Sequence, residues 1–423
     1  MSHPATEPGS HTQHSTPPTL ASAASQAATR SALMGAIFLM ATSAVGPGFL
    51  TQTATFTAKL GAAFAFAILV SILLDIAIQL NVWRVIGISG LRAQELGNKV
   101  LPGLGWVLAI CIAVGGIVFN IGNIAGGGLG LDALLGVNTT AGGVFTAAVA
   151  IAIFLFKRLG AALDKILVAL GIGMVLLTLY VAFVSKPPVG QALKNSVLPE
   201  TVDWLVIMTL VGGTVGGYIT YAGAHRMLDS GQTGVEHIRT VAKSSVTGIL
   251  LTGVMRVVLF LAVLGVVAGG VVLDTTNNPA AQAFQAAAGE VGLRIFGVVL
   301  WAAALSSVIG ASYTSATFLV PNRPQMRRVQ NIVTIVFIVI SCTVFVLIGT
   351  APATLLVFAG AFNGLVLPLG FSLVIFVAAF RSRDLLQGYQ YPKWMIVIGV
   401  GALVVAWWLA WRSFAGVFAL LGS

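Results

Sequence analysis

What this chain can fold into is decided by its apolar runs. Stretches long enough to cross a bilayer lie at about 33–55, 61–83, 104–131, 139–156, 162–184, 203–224, 244–271, 292–318, 329–349, 353–380 and 394–416. A membrane helix needs about 20 such residues. Charged residues make up 8% of the chain, where a soluble domain carries roughly 25%. The runs therefore predict an all-α integral membrane protein with eleven transmembrane helices. A polytopic transmembrane domain is expected over residues 31–423.

The 22 Lys and Arg residues set the orientation. With the N-terminus in the cytoplasm, sixteen fall on inner flanks, among them Arg84, Arg92, Lys99, Arg323, Arg327 and Arg328. Four fall on outer flanks: Lys59, Lys186, Lys194 and Arg412. Basic residues concentrate on the cytoplasmic side of membrane proteins. The expected placement is thus a multi-pass inner (plasma) membrane protein with its N-terminus inside and its C-terminus outside. The net charge of +10 then reflects topology and attraction to anionic lipid, with no nucleic-acid partner. Residues 1–30 carry no basic residue before Arg30 and few large apolar ones. They read as a disordered tail without the layout of a signal peptide, and His3, His11 and His14 as solvated. Cys111 and Cys342 both sit in apolar runs and read as small packing residues.

Two of the runs cannot stay helical throughout. Gly46-Pro47-Gly48-Phe49 places two glycines around a proline, and Gly212-Gly213-Thr214-Val215-Gly216-Gly217 places four glycines in six residues. Proline removes a backbone donor, and glycine makes the helical state entropically costly. Within lipid, broken backbone is tolerated where protein buries it or where it lines a cavity. Paired interruptions in corresponding halves of a chain point to a transporter's substrate site. Spans 1–5 (about 31–185) and 6–10 (about 200–382) each open with such a break. Five spans per half means the second half must be inverted. This predicts a LeuT-type 5+5 inverted repeat with helices 1 and 6 broken, plus one extra C-terminal helix at 394–416. Trp407, Trp408 and Trp411 of that helix read as interfacial anchors.

Along spans 1–10 the chain resembles the Nramp family of proton-coupled divalent-metal transporters. The resemblance lies in the frame Pro47, Gly48, Gly61, Ile68, Leu69, Ser71 and Gln79, and in the stretches Trp106–Gly136, Arg158–Phe183 and Gly212–Tyr221. It implies the same fold and orientation. It also implies where metal ligands would stand. The family's first break reads Asp-Pro-Gly-Asn, and its Asp and Asn positions hold Gly46 and Phe49 here. Its Met-Pro-His falls on Gly216, Gly217 and Tyr218, a second His on Gly223, and the acidic residues of its third span on Ala113, Asn120 and Asn123. Such side-chain roles cannot be carried over. A divalent cation needs oxygen ligands that usually include carboxylates, so no metal site is expected.

What the breaks offer instead is backbone, amides, hydroxyls and rings. Substrate contacts are expected from Gly46, Pro47, Gly48, Phe49, Thr51, Gln52 and Thr53, answered by Gly213, Thr214, Gly216, Gly217, Tyr218 and Tyr221, with Asn120 and Asn123 from span 3. The helix starting near Leu50 presents unpaired N–H groups and a partial positive charge, a seat for a carboxylate. That suits a small organic solute, a compact acid of the pyroglutamate kind among them. Asp75 and Arg256 are the ionisable pair expected inside the membrane. Asp75 is read toward the cytoplasmic side as an ion-pair partner of Arg256 or a proton carrier. Ser306 and Ser307 lie where this fold often places a sodium site. The coupling ion is thus a proton or sodium, and no cofactor is expected. Glycines also pack helices closely, the expected role of Gly126, Gly127 and Gly128. No hydrolase elbow, metal-binding His pair or phosphate loop points to an enzyme. Two other readings stay open: a manganese, iron or magnesium transporter with carbonyl and hydroxyl ligands, and a non-transporting sensor.

Overall fold

A computed structural model describes residues 45–155, 157–231, 233–321 and 323–421, with side chains described except at 157–169 and 324. The N-terminal tail, Arg30 and the first part of the first expected span lie outside the described residues. The elements in chain order are α1 (Pro47–Leu60), α2 (Phe64–Ser89), α3 (Ala93–Val100), α4 (Leu104–Leu135), α5 (Thr139–Leu155), α6 (Lys157–Val184), α7 (Val189–Val197), α8 (Trp204–Thr214), α9 (Ile219–Asp229), α10 (Ile238–Ala268), α11 (Pro279–Leu319), α12 (Arg327–Ile348), α13 (Pro352–Phe380), α14 (Ser382–Leu385) and α15 (Lys393–Ala419). No strand occurs among the described residues.

Eight helical segments are long and apolar enough to cross a membrane, or up to nine if the pair bent by 105° at Leu170–Val184 and Val189–Val197 counts as one span. Two local features account for the difference from eleven. Pro47–Ser89 runs as one segment of 43 residues, yet a straight helix of that length would be about 65 Å long, twice a bilayer core. A 3-10 turn at Gly61–Ala63 divides it, with Gly61 at φ +55°. The other feature is α5, which at 17 residues is a short apolar helix.

The observed helix ends follow local chemistry. Pro47 occupies the first turn of α1, where its missing N–H costs nothing. Asp203 accepts from Val206 N and caps α8, and Asn278 caps α11 in the same way through Ala281 N. Left-handed glycines at Gly90 and Gly136 close α2 and α4.

Apolar side chains face outward as well as inward. Phe183 (85% exposed), Leu347 (76%) and Trp411 (83%) stand clear of the protein, a distribution that only lipid or another protein would cover. Trp408 instead packs edge-on against Trp204 at 4.7 Å, and Trp407 donates to Ser372 Oγ at 3.1 Å. Residues expected on one side of the membrane group together. Lys59 and Arg412 line a common cavity of about 520 Å³ near the start of α8, and Lys59 pairs with Asp203 at 2.8 Å.

Candidate functional site

The helix running from Trp204 stops at Thr214 and resumes at Ile219, leaving Val215–Tyr218 non-helical. Gly217 is the reason the chain can turn here. It sits at φ +51°, and an added Cβ would collide with Asn363 Oδ1. Gly217→Ala should therefore combine backbone strain with a displaced Asn363, a loss of about 2–3 kcal/mol visible as a lower melting temperature in detergent. An unchanged melting curve would show that this turn is not strained. The other glycines divide by task. Gly212 lets α8 lie directly on the Gly360 carbonyl and the Gly364 amide of α13. Gly216 folds back on Gly212 O, so no larger residue fits there.

The start of α1 meets the rest of the protein at its N-cap, Gly46. A Cβ on Gly46 would stand 2.5 Å from Ser307 Oγ and 3.7 Å from Asn123 Oδ1. Pro47 packs into the space left by Gly126, while Gly127 and Gly128 receive Thr146 and Thr139 of α5. Gln52 reaches across, donating to Leu356 O at 2.9 Å, with its Oε1 against Gly213 and without a hydrogen-bond partner. Thr51 is fully buried and its hydroxyl has no protein partner. Thr53 instead bonds its own helix, donating to Phe49 O at 2.7 Å, a common habit of buried Thr.

Span 3 contributes amides. Asn120 donates to Ser312 Oγ at 3.0 Å and leaves its Oδ1 unpartnered. Asn123 has neither its oxygen nor its nitrogen hydrogen-bonded. The Tyr218 hydroxyl faces it without closing a bond of good geometry; the Tyr218 ring packs edge-on to Phe119 at 5.5 Å. Buried polar atoms normally find partners, and these are among the described ones that have none within the protein.

Arg256 lies between the breaks. Its guanidinium carbon is 4.4 Å from the centroid of the Phe49 ring, and Nη1 donates to Thr214 Oγ1 at 3.0 Å. Asp75 faces both Arg256 and the Thr214 hydroxyl. It therefore sits beside Thr214, the last residue of α8, which packs against α2. Among the described residues Asp75 and Arg256 are not one of the ion pairs, and Asp75 Oδ1 has no partner.

Not every expected residue joins this group. Tyr221 stacks edge-on to Phe318 at 5.2 Å and lies near His225, with its hydroxyl against Gly370. It belongs to a second cluster along α9, with His225 and Phe318, since the first turn of that helix points it away from Asn123. Ser307 touches Gly46, while Ser306 is half-buried. In the second cluster, Ala93 N donates to His225 Nε2 at 3.4 Å, and His225 Nδ1 lies 2.9 Å from Thr317 Oγ1. Asn363 was not among the expected residues. It donates to Gly115 O and Ala359 O and supports Gly217; a lone Asn within the apolar run of 353–380 was the available signal. Among the described residues no group of three or more His, Cys, Asp or Glu side chains could hold a metal ion.

Residues 37–415 match the model of the Natural resistance-associated macrophage protein-like (Nramp) family. The chain is 52% identical over 383 residues to the membrane protein YcsG of Bacillus subtilis (strain 168), covering 90% of this chain and 93% of that one. A manganese transporter of Eremococcus coleocola, solved as a mutant, superimposes with a TM-score of 0.74 at 17% identity, over 96% of this chain and 90% of that one. MhsT in complex with L-phenylalanine does so with a TM-score of 0.65 at 16% identity, over 89% and 98%. The all-helical fold is therefore the LeuT-like one shared by these structures, and the chain belongs to the Nramp family of membrane transporters.

Proposed function

We propose that this chain is a secondary transporter working by alternating access, whose cargo is a small organic solute, a carboxylic acid in particular. The proposed frame is eleven spans, an inverted 5+5 repeat and an N-in, C-out orientation, with the cargo held between the two breaks. One observation carries this reading. The unpartnered polar atoms at the breaks belong to neutral amides and hydroxyls (Gln52, Thr51, Asn120, Asn123, Tyr218), to the guanidinium of Arg256 and to one oxygen of Asp75, which that guanidinium faces. Such a set suits an anion or a neutral polar molecule. A bare divalent cation would have to lie beside a buried positive charge, with Asp75 as the one facing carboxylate, an unfavourable balance in low dielectric. Gly46, Phe49, Gly216 and Tyr218 stand where the family's metal ligands are expected, and their loss is part of the proposal. The fold is compatible with such cargo: MhsT was solved with an amino acid bound.

The second reading is transport of manganese, iron or magnesium, favoured by the likeness to a manganese transporter. Counterflow into proteoliposomes separates the two. With purified protein, at least one compact acid in a panel of pyroglutamate, lactate, acetate and small amino acids should exchange, and manganese should not. Micromolar manganese uptake with no exchange of any acid would overturn the proposal, and no exchange of either kind would favour the sensor reading.

A further inference from the structure

We infer that Arg256 and Asp75 form a paired carboxylate-and-proton site: the cargo's carboxylate docks on the open edge of the guanidinium, and Asp75 takes up the one proton that this docking requires. The inference rests on the organic-acid reading above and adds to it a named anchor, a coupling ion and a stoichiometry.

A guanidinium carries five N–H donors in a fixed fork. In Arg256 the Nη1 end is engaged by Thr214, and the flat face lies over Phe49. Nε and Nη2 are buried and have no protein partner. Those two atoms form the side edge of the group, whose parallel N–H bonds match the two oxygens of a carboxylate. An unused bidentate fork at 2% side-chain exposure is costly unless something fills it for part of the working cycle. Its location is equally specific. One face touches the first break through Phe49, and the opposite end touches the last helical residue before the second break through Thr214. An anion on the open edge would therefore be held where both broken helices meet.

Charge balance supplies the proton. Among the described residues, Arg256 is the charged group acting on Asp75 and Asp75 the one acting on Arg256. The elements packed against them add a hydroxyl, Thr214, but no further charge there. In the proposed cycle Asp75 is ionised while the site is empty, so that without cargo the pair sums to zero. A carboxylate arriving on Arg256 would leave a net negative charge in a buried site, which is strongly disfavoured. One proton from solution onto Asp75 restores neutrality, turning its carboxylate into a carboxylic acid with no other bond made or broken. Release of the cargo reverses the step. Cargo and proton thus move together, one of each, and the ion is a proton rather than sodium.

The test uses the purified full chain with L-pyroglutamate and L-lactate as probes. Isothermal titration in buffers of different ionisation enthalpy counts protons taken up per acid bound. About one proton per acid is expected for the unaltered protein. Asp75→Asn, which keeps the side chain's shape, should bind the acid with no proton uptake, lose the pH dependence of affinity, and lose proton-driven accumulation. Arg256→Lys keeps the charge but loses the fork and should bind about tenfold more weakly; Arg256→Gln should weaken binding on the order of a hundredfold. If neither of these acids, nor acetate nor any small amino acid, binds the unaltered protein, the organic-acid reading falls and this inference with it. If an acid binds with no proton uptake, if Asp75→Asn still takes up a proton, or if Arg256→Gln binds undiminished, this inference alone is overturned. The proton count on the unaltered chain decides the matter even if a variant fails to fold.

Discussion

Gly212→Ala is expected to destabilise the fold by about 3 kcal/mol, seen as a clear fall in melting temperature. The added methyl group would be driven into the Gly360 carbonyl oxygen and the Gly364 amide nitrogen of α13. Both are backbone atoms of a helix packed on several sides, so neither can turn aside as a side chain would. Overpacking of a tight site costs about 1–3 kcal/mol, and backbone against backbone belongs at the upper end. About 3 kcal/mol shifts the ratio of folded to unfolded protein roughly a hundredfold. Thermal unfolding in detergent, followed by size exclusion, reads the effect. Gly213→Ala is the contrasting variant. Its methyl group meets Gln52 Oε1 at 2.7 Å, the far end of a flexible side chain, so the protein should fold while cargo binding changes. Equal stability of the two variants would show that the α8–α13 contact is looser than described.

The second large effect is expected at the far end of α9. Arg92 is almost fully enclosed and ties three elements together: Nη2 meets Asp229 at 2.9 Å, and Nη1 donates to Thr317 O and Val320 O at the end of α11. Its own backbone N–H is capped by Glu95. Breaking a buried pair by removing one partner costs about 3–5 kcal/mol. Asp229 is partly open to solvent, which lowers the expected cost of Arg92→Ala to about 2–3 kcal/mol. The loss should fall on this end of the protein, because the tie joins α3, α9 and α11 there. A cysteine at Met227, which is fully buried, introduced on a Cys111→Ala, Cys342→Ala background, reports the opening. Its labelling by an impermeant maleimide should quicken ten- to a hundredfold in Arg92→Ala. Unchanged labelling would mean that the tie does not hold this end closed.

Much of the architecture could be read from the chain because its determinants are local. Boundaries such as Arg327–Ile348 and Pro352–Phe380 fall within a few residues of the apolar runs. The interruption after Thr214 follows from the glycines themselves. Packing glycines were also legible: Gly126, Gly127 and Gly128 seat Pro47, Thr146 and Thr139. Less legible was which polar residue would reach which break. Tyr221 and Tyr218 are three positions apart and look equivalent in sequence, yet the helix that starts at Ile219 sends Tyr221 to Phe318 and His225. Asn363 passed unnoticed because its partners are 248 residues away, at Gly115, and in its own helix.

By itself the sequence determined a many-span helical membrane protein with Pro47 at the start of one helix and a glycine-rich interruption after Thr214, since hydropathy, a missing backbone donor and glycine's conformational freedom are properties of single segments. Tertiary structure alone decided what stands between those breaks. Phe49, Asp75, Thr214 and Arg256 come from four different helices. No spacing in the chain announces their meeting, because it is set by how α1, α2, α8 and α10 pack. The same packing leaves Nε and Nη2 of Arg256 without a protein partner, and a hydrogen-bonding deficit of that kind exists only once every neighbour is in place.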